Sequence, residues 1–371
     1  MTDAESEFRE NIRAALANIV APHADSWETA GKIDRKGWGA LGDQGLLELA
    51  HTGPEFMRSA IYLDELGRTG YAGIRAAIAV HAYMVISYLE LFGNDEQRSA
   101  YLPAARRGRR IGALAITEDN AGSDLRNLTT KAEVCAGGDY RVSGTKSYVT
   151  NGSQADFFVT LARTGTAASG KALSHVRLVI IDGDLPGITR REQPMLGWHS
   201  ADTCTVEFAD VPVPASRLLG RPDLALVQLM KALDFERLVA GLLAVGGIGY
   251  CLDVLRAFVR SHRIGDSPMS AKQVVRQDLA ELYSDYDLVR QYALHAAGQQ
   301  CLGRLDTRTA SILKLKATEL AVTAAQKCLR YHGARGYLRD SASSRLYCDA
   351  IGGTIAGGVA ELMRDMIYEL S

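Results

Sequence analysis

Cysteine is sparse in this chain, and what there is has no metal-like spacing. Six residues in 371, Cys135, Cys204, Cys251, Cys301, Cys328 and Cys348, form no CxxC pair. That argues against a zinc site or a disulfide framework and for reduced thiols in a cytoplasmic protein. No metal is expected. Charge of one sign is also lacking: 42 Lys and Arg against 43 Asp and Glu leave a net −1. Nucleic acid and anionic membrane therefore have no electrostatic claim as partners. The one basic run, RRGRR at residues 106–110, reads as a solvated helix end rather than a patch for an anion. Long uncharged apolar runs are missing; the longest, residues 238–252, is about 15 residues, short of a membrane span. The opening MTDAESEFRENIRAAL has no apolar h-region, so no secretory signal is expected. Short repeats and low-complexity tracts are absent.

With 47% hydrophobic and 23% charged residues, the chain can bury a substantial core. Its length implies two or three structural units. Phe8, Ile12, Ala15 and Ile19 recur at helical spacing, and similar stripes follow over residues 38–49, 58–66, 74–92 and 95–105. Residues 1–110 therefore read as a helical domain. From 111 to 217 the period falls to two, with strands predicted at 111–117, 140–150, 156–162, 176–181 and 203–208. Turns are expected at AGGD (136–139) and TGTAASGKA (164–172), and VPVPASRLLG (211–220) reads as a linker, because Pro212 and Pro214 suit neither helix nor central strand. Beyond it, Leu238, Leu242, Val245, Leu252, Leu255 and Val259 begin a stripe that continues over 273–298, 308–331 and 341–370. Residues 218–371 read as a helical bundle. The fold class is thus mainly α with an inserted β-barrel, in three domains.

The chemistry concentrates in residues 111–164, bounded by ALAITEDNAGSD (113–124) and GTKSYVTNGSQAD (144–156). Each is a strand running into Gly, Asn and Ser, a pattern that turns amides and small hydroxyls toward a flat polar ligand. Gly122 either takes a positive φ or admits close approach, and Ser123 adds a hydroxyl; an ordinary acidic turn is the plain alternative. Tyr148, Thr150 and Asn151 close the second strand with an aromatic face, a hydroxyl and an amide.

Together these two segments resemble the acyl-CoA dehydrogenase family, whose middle domain uses such blocks as a wall against its flavin. The resemblance runs through YLDELGRTG (62–70), LFGNDEQRSAYLP (91–103), LGWHSADTCTVEFADVPVPASRLLG (196–220), LDFERLVA (233–240), HGARGYLRD (332–340) and IAGGVAELMRDMI (355–367), in the family's order. It implies FAD as cofactor. Leu114, Ile116 and Thr117 would lie along the ring edge, Gly122 and Ser123 by the pyrophosphate or thioester, and Tyr148 and Thr150 over the ring and N5. Each is otherwise a plain strand or turn residue.

Removing an α-proton and a β-hydride together needs a base on one face of the Cα–Cβ bond and a hydride acceptor on the other. Most of the family carries its glutamate near the C-terminus, where this chain has Gly357 in IAGGV; glycine has no side chain to act as base. The isovaleryl and long-chain branches place it in a block similar to LDFERLV, which implies Glu236. The bland alternative is a helix-start acid capped by Asp234. Gly357 would still offer its amide to the thioester oxygen, or simply pack in a helix turn. Arg237 is expected near the CoA arm, or else in a surface ion pair.

Departures cluster in two places. AHTGPEFMRSA (50–60) is shorter than the family's loop near the substrate channel. HRIGDSPMSAKQ (262–273) and RYHGARGY (330–337) keep Gln273 and Gly333, put Arg263 beside the arginine's column at His262, and place Arg330 and Ala334 where the family has glutamine and glycine; Cys348 and Val359 also differ. These positions hold the far end of FAD across a subunit interface in the family, so a homotetramer or homodimer is implied. The expected activity is α,β-dehydrogenation of an acyl thioester, on CoA or an acyl-carrier protein, with an electron-transfer flavoprotein or oxygen as acceptor. A flavin monooxygenase or oxidase, and a flavin-poor binding partner, are the alternatives.

Overall fold

The computed structural model describes residues 3–164, 175–221 and 224–371. The turn expected at 164–172 falls outside them, except for Thr164. Seven helices come first: α1 (Asp3–Ile19), α2 (Ala24–Ala30), α3 (Arg35–Asp43), α4 (Phe56–Gly67), α5 (Ala72–Ala79), α6 (Ile86–Phe92) and α7 (Asp95–Arg106). Local chemistry sets their ends. Asn94 and Gln97 exchange side-chain and backbone hydrogen bonds as a capping box for α7, which satisfies two amides that the first turn leaves without partners. The Gln97 amide also donates to the carbonyls of Ser216 and Leu218, both at 2.7 Å, tying α7 to a segment some 120 residues later.

Between α5 and α6 the helix is π-wound over Val80–Val85. His81, fully buried there, accepts the Gly112 N–H at Nδ1 and donates from Nε2 to the Ala105 carbonyl, both at 3.0 Å. It is therefore held neutral, and burial pushes it down to about 4.

Among the described residues, eight strands follow: β1 (Gly112–Ala115), β2 (Lys131–Val134), β3 (Tyr140–Val149), β4 (Phe157–Arg163), β5 (Val176–Asp182), β6 (Ile188–Glu192), β7 (Cys204–Val213) and β8 (Leu218–Leu219). They form one sheet in the order β6-β7-β3-β2-β4-β5-β8, with β1 parallel to β4. The inserted β domain is as expected, but its exit is not the predicted linker. β7 runs on through Pro212, which pairs with Arg141 of β3. β6 flanks only Cys204–Phe208, so at Pro212 one side of β7 is open, where a residue without an N–H is tolerated. Alternation on β4 divides the core: Phe158 and Ala162 face inward with Phe208 and Val206, while Phe157, Val159 and Leu161 pack outward against helices.

The C-terminal third holds α8 (Ala225–Ser261), the short hairpin β9 (Arg263–Ile264) and β10 (Ser267–Pro268), then α9 (Gln273–Cys301), α10 (Thr307–His332), α11 (Ala342–Ile355) and α12 (Ala360–Glu369). Glycine permits the closest helix contact: a Cβ on Gly246 of α8 would lie 2.0 Å from the Asp64 carbonyl oxygen of α4. Two stretches, Ala72–Phe92 and Ala225–Ser261, are long and apolar enough to cross a membrane, although 83% and 78% of their apolar windows are buried inside the protein. Burial by their own chain gives these helices their apolar character a core role.

Candidate active site

One apolar cluster joins Leu229 and Ala232 of α8 to Phe157, Val159 and Leu161 of β4 and to Tyr88 of α6; Leu114, Ile116 and Leu233 pack at its margin. On β1 the alternation sends Ala113 and Ala115 into the β domain and leaves Leu114 and Ile116 half-buried on the helix side. The expected ring-edge residues and the helix carrying Glu236 thus share one layer.

Glu236 lies about three turns inside α8, so it is no helix-start acid, and Asp234 does not cap. Asp234 instead accepts hydrogen bonds from Arg237 and from the Thr307 hydroxyl, each at 2.7 Å. Glu236 is only 5% exposed. Its Oε1 accepts the Tyr88 hydroxyl at 3.0 Å. Burial pushes the carboxyl up to about 7, against the opposing pull of the Tyr88 hydrogen bond and the Arg237 guanidinium. A carboxyl so placed is half ionised near neutral pH, which suits a general base.

Arg237 is buried, not in a surface ion pair: its side chain is 4% exposed, and its Nε has no hydrogen-bond partner among the described residues. An orphaned buried donor is costly unless a ligand oxygen arrives to meet it. Its charge also reaches Lys314 of α10. That lysine is wholly buried and donates to the carbonyls of Gly358 and, at 3.3 Å, Thr354. Burial first, then the Arg237 charge, brings it down to about 8.

The loop between α11 and α12 reverses through Gly357 at φ 66° and Gly358 at φ 103°, conformations that favour glycine. Gly357 is exposed, with open space where a Cβ would sit. It is a turn glycine, but not a packed one.

After β1 the chain enters the Glu118 loop. Glu118 is buried and accepts from the amides and hydroxyls of Thr129 and Thr130 and, at 2.9 Å, from Lys146 Nζ. Burial alone would raise this carboxyl, but the Lys146 ammonium and the threonines bring it down to about 2. This anchor fixes the loop that presents Thr117, half-buried, and Gly122 and Ser123, both exposed. Gly122 is not among the positive-φ glycines, so it does not use the left-handed region.

Across from it, the β3–β7 register slips between Lys146 and Val149. At this bulge Tyr148 adopts φ 58° and is 56% exposed. Bulges re-aim side chains in this manner, commonly beside active sites. Thr150 follows half-buried, and the Asn151 amide is buried against the Ala77 carbonyl at 2.9 Å. An uncovered aromatic face, a nearby hydroxyl and the apolar Leu114–Ile116 edge fit a flat ring with a polar rim, as the flavin of FAD is.

The far-end residues assemble elsewhere. Arg263 lies on β9, Gln273 opens α9, Arg330 is in the last turn of α10, and Gly333, at φ 60°, ends it. All four are exposed. Phe258 stacks on His332 at 3.9 Å, and Arg335 approaches His262 Nδ1 at 3.4 Å, so these blocks form one patch. The patch is at the opposite end of α8 from Glu236, about 37 Å away along the helix.

The sequence reading missed Tyr88, Lys314, Glu118 and Lys146. Tyr88 lies within the apolar run VISYLELF, and the two lysines lie in otherwise ordinary strand and helix patterns, so nothing in them signalled burial.

This fold and site define an oxidoreductase of the type that acts on CH–CH groups. Family models for the acyl-CoA dehydrogenase N-terminal, middle and C-terminal domains match residues 2–109, 113–211 and 226–370. The chain is 30% identical over 367 residues to the long-chain specific acyl-CoA dehydrogenase of Rattus norvegicus, spanning 97% of this chain and 84% of that one. It is also 30% identical over 377 residues to the isovaleryl-CoA dehydrogenase of Oryza sativa subsp. japonica, spanning 98% and 90%. The crystal structure of an acyl-CoA dehydrogenase from Geobacillus kaustophilus matches with a TM-score of 0.93 at 29% identity, covering 100% of this chain and 98% of that one. The chain belongs to the acyl-CoA dehydrogenase family.

Proposed function

We propose that this protein introduces an α,β double bond into an acyl thioester, with Glu236 as the base that takes the α-proton. The observation that carries this reading is a carboxyl 5% exposed, held in an apolar layer shared with Leu114 and Ile116, and pushed up to about 7. When bound, FAD supplies the acceptor for the β-hydride. The protein's own part is to hold the ring and orient the thioester. Leu114, Ile116 and Thr117 line the ring edge, Tyr148 offers its face, Thr150 a hydroxyl, and Gly122 and Ser123 a loop that a phosphate or thioester can approach.

Charge builds on the thioester oxygen as the α-proton leaves. The Gly357 amide is the donor we assign to it, with Lys314 fixing the loop from beneath. Arg237, whose Nε is unpartnered among the described residues, is the side chain we assign to the pantetheine arm. His51 of the short loop and Phe56 pack against Phe235, each at 5.8 Å between rings, so this loop helps wall the acyl pocket beside the base.

Arg263, Gln273, Arg330 and Gly333 are assigned to the adenine and pyrophosphate end. They cluster around the C-terminal end of α8, about 37 Å along the helix from Glu236, and we assign them to a flavin other than the one held at this chain's own ring site. They therefore serve the FAD of a second copy, which makes the functional unit a homodimer or homotetramer. Electrons leave to an electron-transfer flavoprotein or to oxygen, and the acyl carrier is CoA or a carrier protein.

The test is a purified protein with a flavin absorbance band that bleaches anaerobically on adding an acyl thioester. A panel of short, branched, long and carrier-bound thioesters sets the substrate class. A Glu236→Gln variant that retains flavin and still bleaches at the wild-type rate would refute the assignment of the base.

A further inference from the structure

The π-wound segment Val80–Val85 changes which residues of its helix face α8. In an α-helix, residues five apart diverge by well over a quarter turn; where the winding widens, they come closer to one face. Here Tyr83 and Tyr88 both meet the Glu236 region of α8. Tyr83 packs on Phe235 at 6.4 Å between rings, and Tyr88 reaches Glu236 at 3.0 Å. π-bulges of this sort recur at functional sites.

Tyr88 is wholly buried, and its hydroxyl has the Glu236 carboxylate as acceptor. Resting on the reading of Glu236 as the base, we infer that Tyr88 is a positioning residue: it pins Oε1 of the carboxylate and leaves Oε2 to receive the substrate α-proton. Burial and the neighbouring carboxylate raise the phenol well above its ordinary range, so it remains a donor at any working pH. A donor that never ionises stabilises the carboxylate more than the neutral carboxyl. Tyr88 thereby offsets part of the burial that holds Glu236 protonated. The other charges facing this carboxyl are Arg237, already paired with Asp234 on α8, and, acting through Arg237, Lys314 of α10.

Tyr88→Phe keeps the ring and its packing while deleting the donor. The acid limb of kcat/KM is expected to move up by about one to two pH units, with the ratio of variant to wild-type activity approaching one as pH rises; that range follows from the strength of a hydrogen bond to a charged group. A second readout needs no turnover: the carboxyl infrared band of Glu236, identified as the band lost in Glu236→Gln, should titrate at higher pH in Tyr88→Phe. An unchanged limb and an unchanged titration in a folded, flavin-containing Tyr88→Phe would overturn the inference. So would a loss equal at every pH, which is the mark of packing damage. If Glu236→Gln itself keeps full turnover, the reading of the base fails instead, whatever the infrared titration shows for Tyr88.

Discussion

The Lys314 ammonium lies against the carbonyl of Gly358, the residue after the proposed oxyanion donor. It is buried between α10 and the α11–α12 loop, with the Thr354 carbonyl as its second acceptor. A cation there ties a two-glycine reversal to α10. Lys314→Met should leave KM near its wild-type value and lower kcat by about 10- to 100-fold, since a displacement of about 1 Å at a catalytic donor can cost 100-fold. Steady-state kinetics on a folded, flavin-containing variant checks this. An unaltered kcat would remove the lysine from the active-site scaffold.

The same lysine sets an upper pH limit. Burial and Arg237 bring it down to about 8, so the ammonium is lost as pH rises through that value. Glu236, pushed up to about 7, becomes a competent base only as pH rises through 7. The wild-type profile should therefore be a narrow bell, rising near 7 and falling above 8. In Lys314→Met the falling limb should disappear while the rising limb stays, which a full pH series of kcat/KM resolves.

His81 predicts acid sensitivity of a different origin. Its folded-state value of about 4 lies below the unfolded 6.5. Below pH 6.5 the unfolded chain takes up a proton that the folded chain refuses, so stability falls as pH drops toward 4. The loss reaches about 3 kcal/mol at most. Urea unfolding at pH 7.5 and at pH 4.5 should show a steeper decline for wild type than for His81→Gln, which has no ring to protonate.

Gly246 and Gly298 test packing against propensity. Gly246→Ala forces a methyl into the Asp64 carbonyl, whereas a Cβ on Gly298, inside α9, meets nothing within 4 Å. The first should destabilise the protein by about 1–3 kcal/mol through overpacking. The second should stabilise it by about 0.5–1 kcal/mol through helix propensity. Urea midpoints for the two variants should move in opposite directions.

Much of this architecture was legible in the sequence because it rests on periodicity. The short, nearly continuous apolar runs FFVTLA and VRLVII gave β4 and β5, buried on both faces, and the Leu238 to Val259 stripe gave α8. β2 and β6 were missed because KAEV and ITRRE are polar or short, and pairing with longer neighbours makes them strands. Pro212 misled because a linker and an open strand side tolerate proline equally. Glu236 was readable only through the surrounding blocks. What makes it chemically distinct, the hydroxyl of Tyr88 some 150 residues earlier, depends on a change of helical winding that leaves no periodic trace in VHAYMVISYLELF.

α8 runs without a break from Glu236, the carboxyl proposed as the base, to the His262 block at its C-terminal end. If each end works on a different flavin, one rod yokes two reaction centres, and an isolated chain owns two halves that do not complete each other. Catalytic power would then be set by how many chains find a mate, so that specific activity should collapse on dilution before any helix melts.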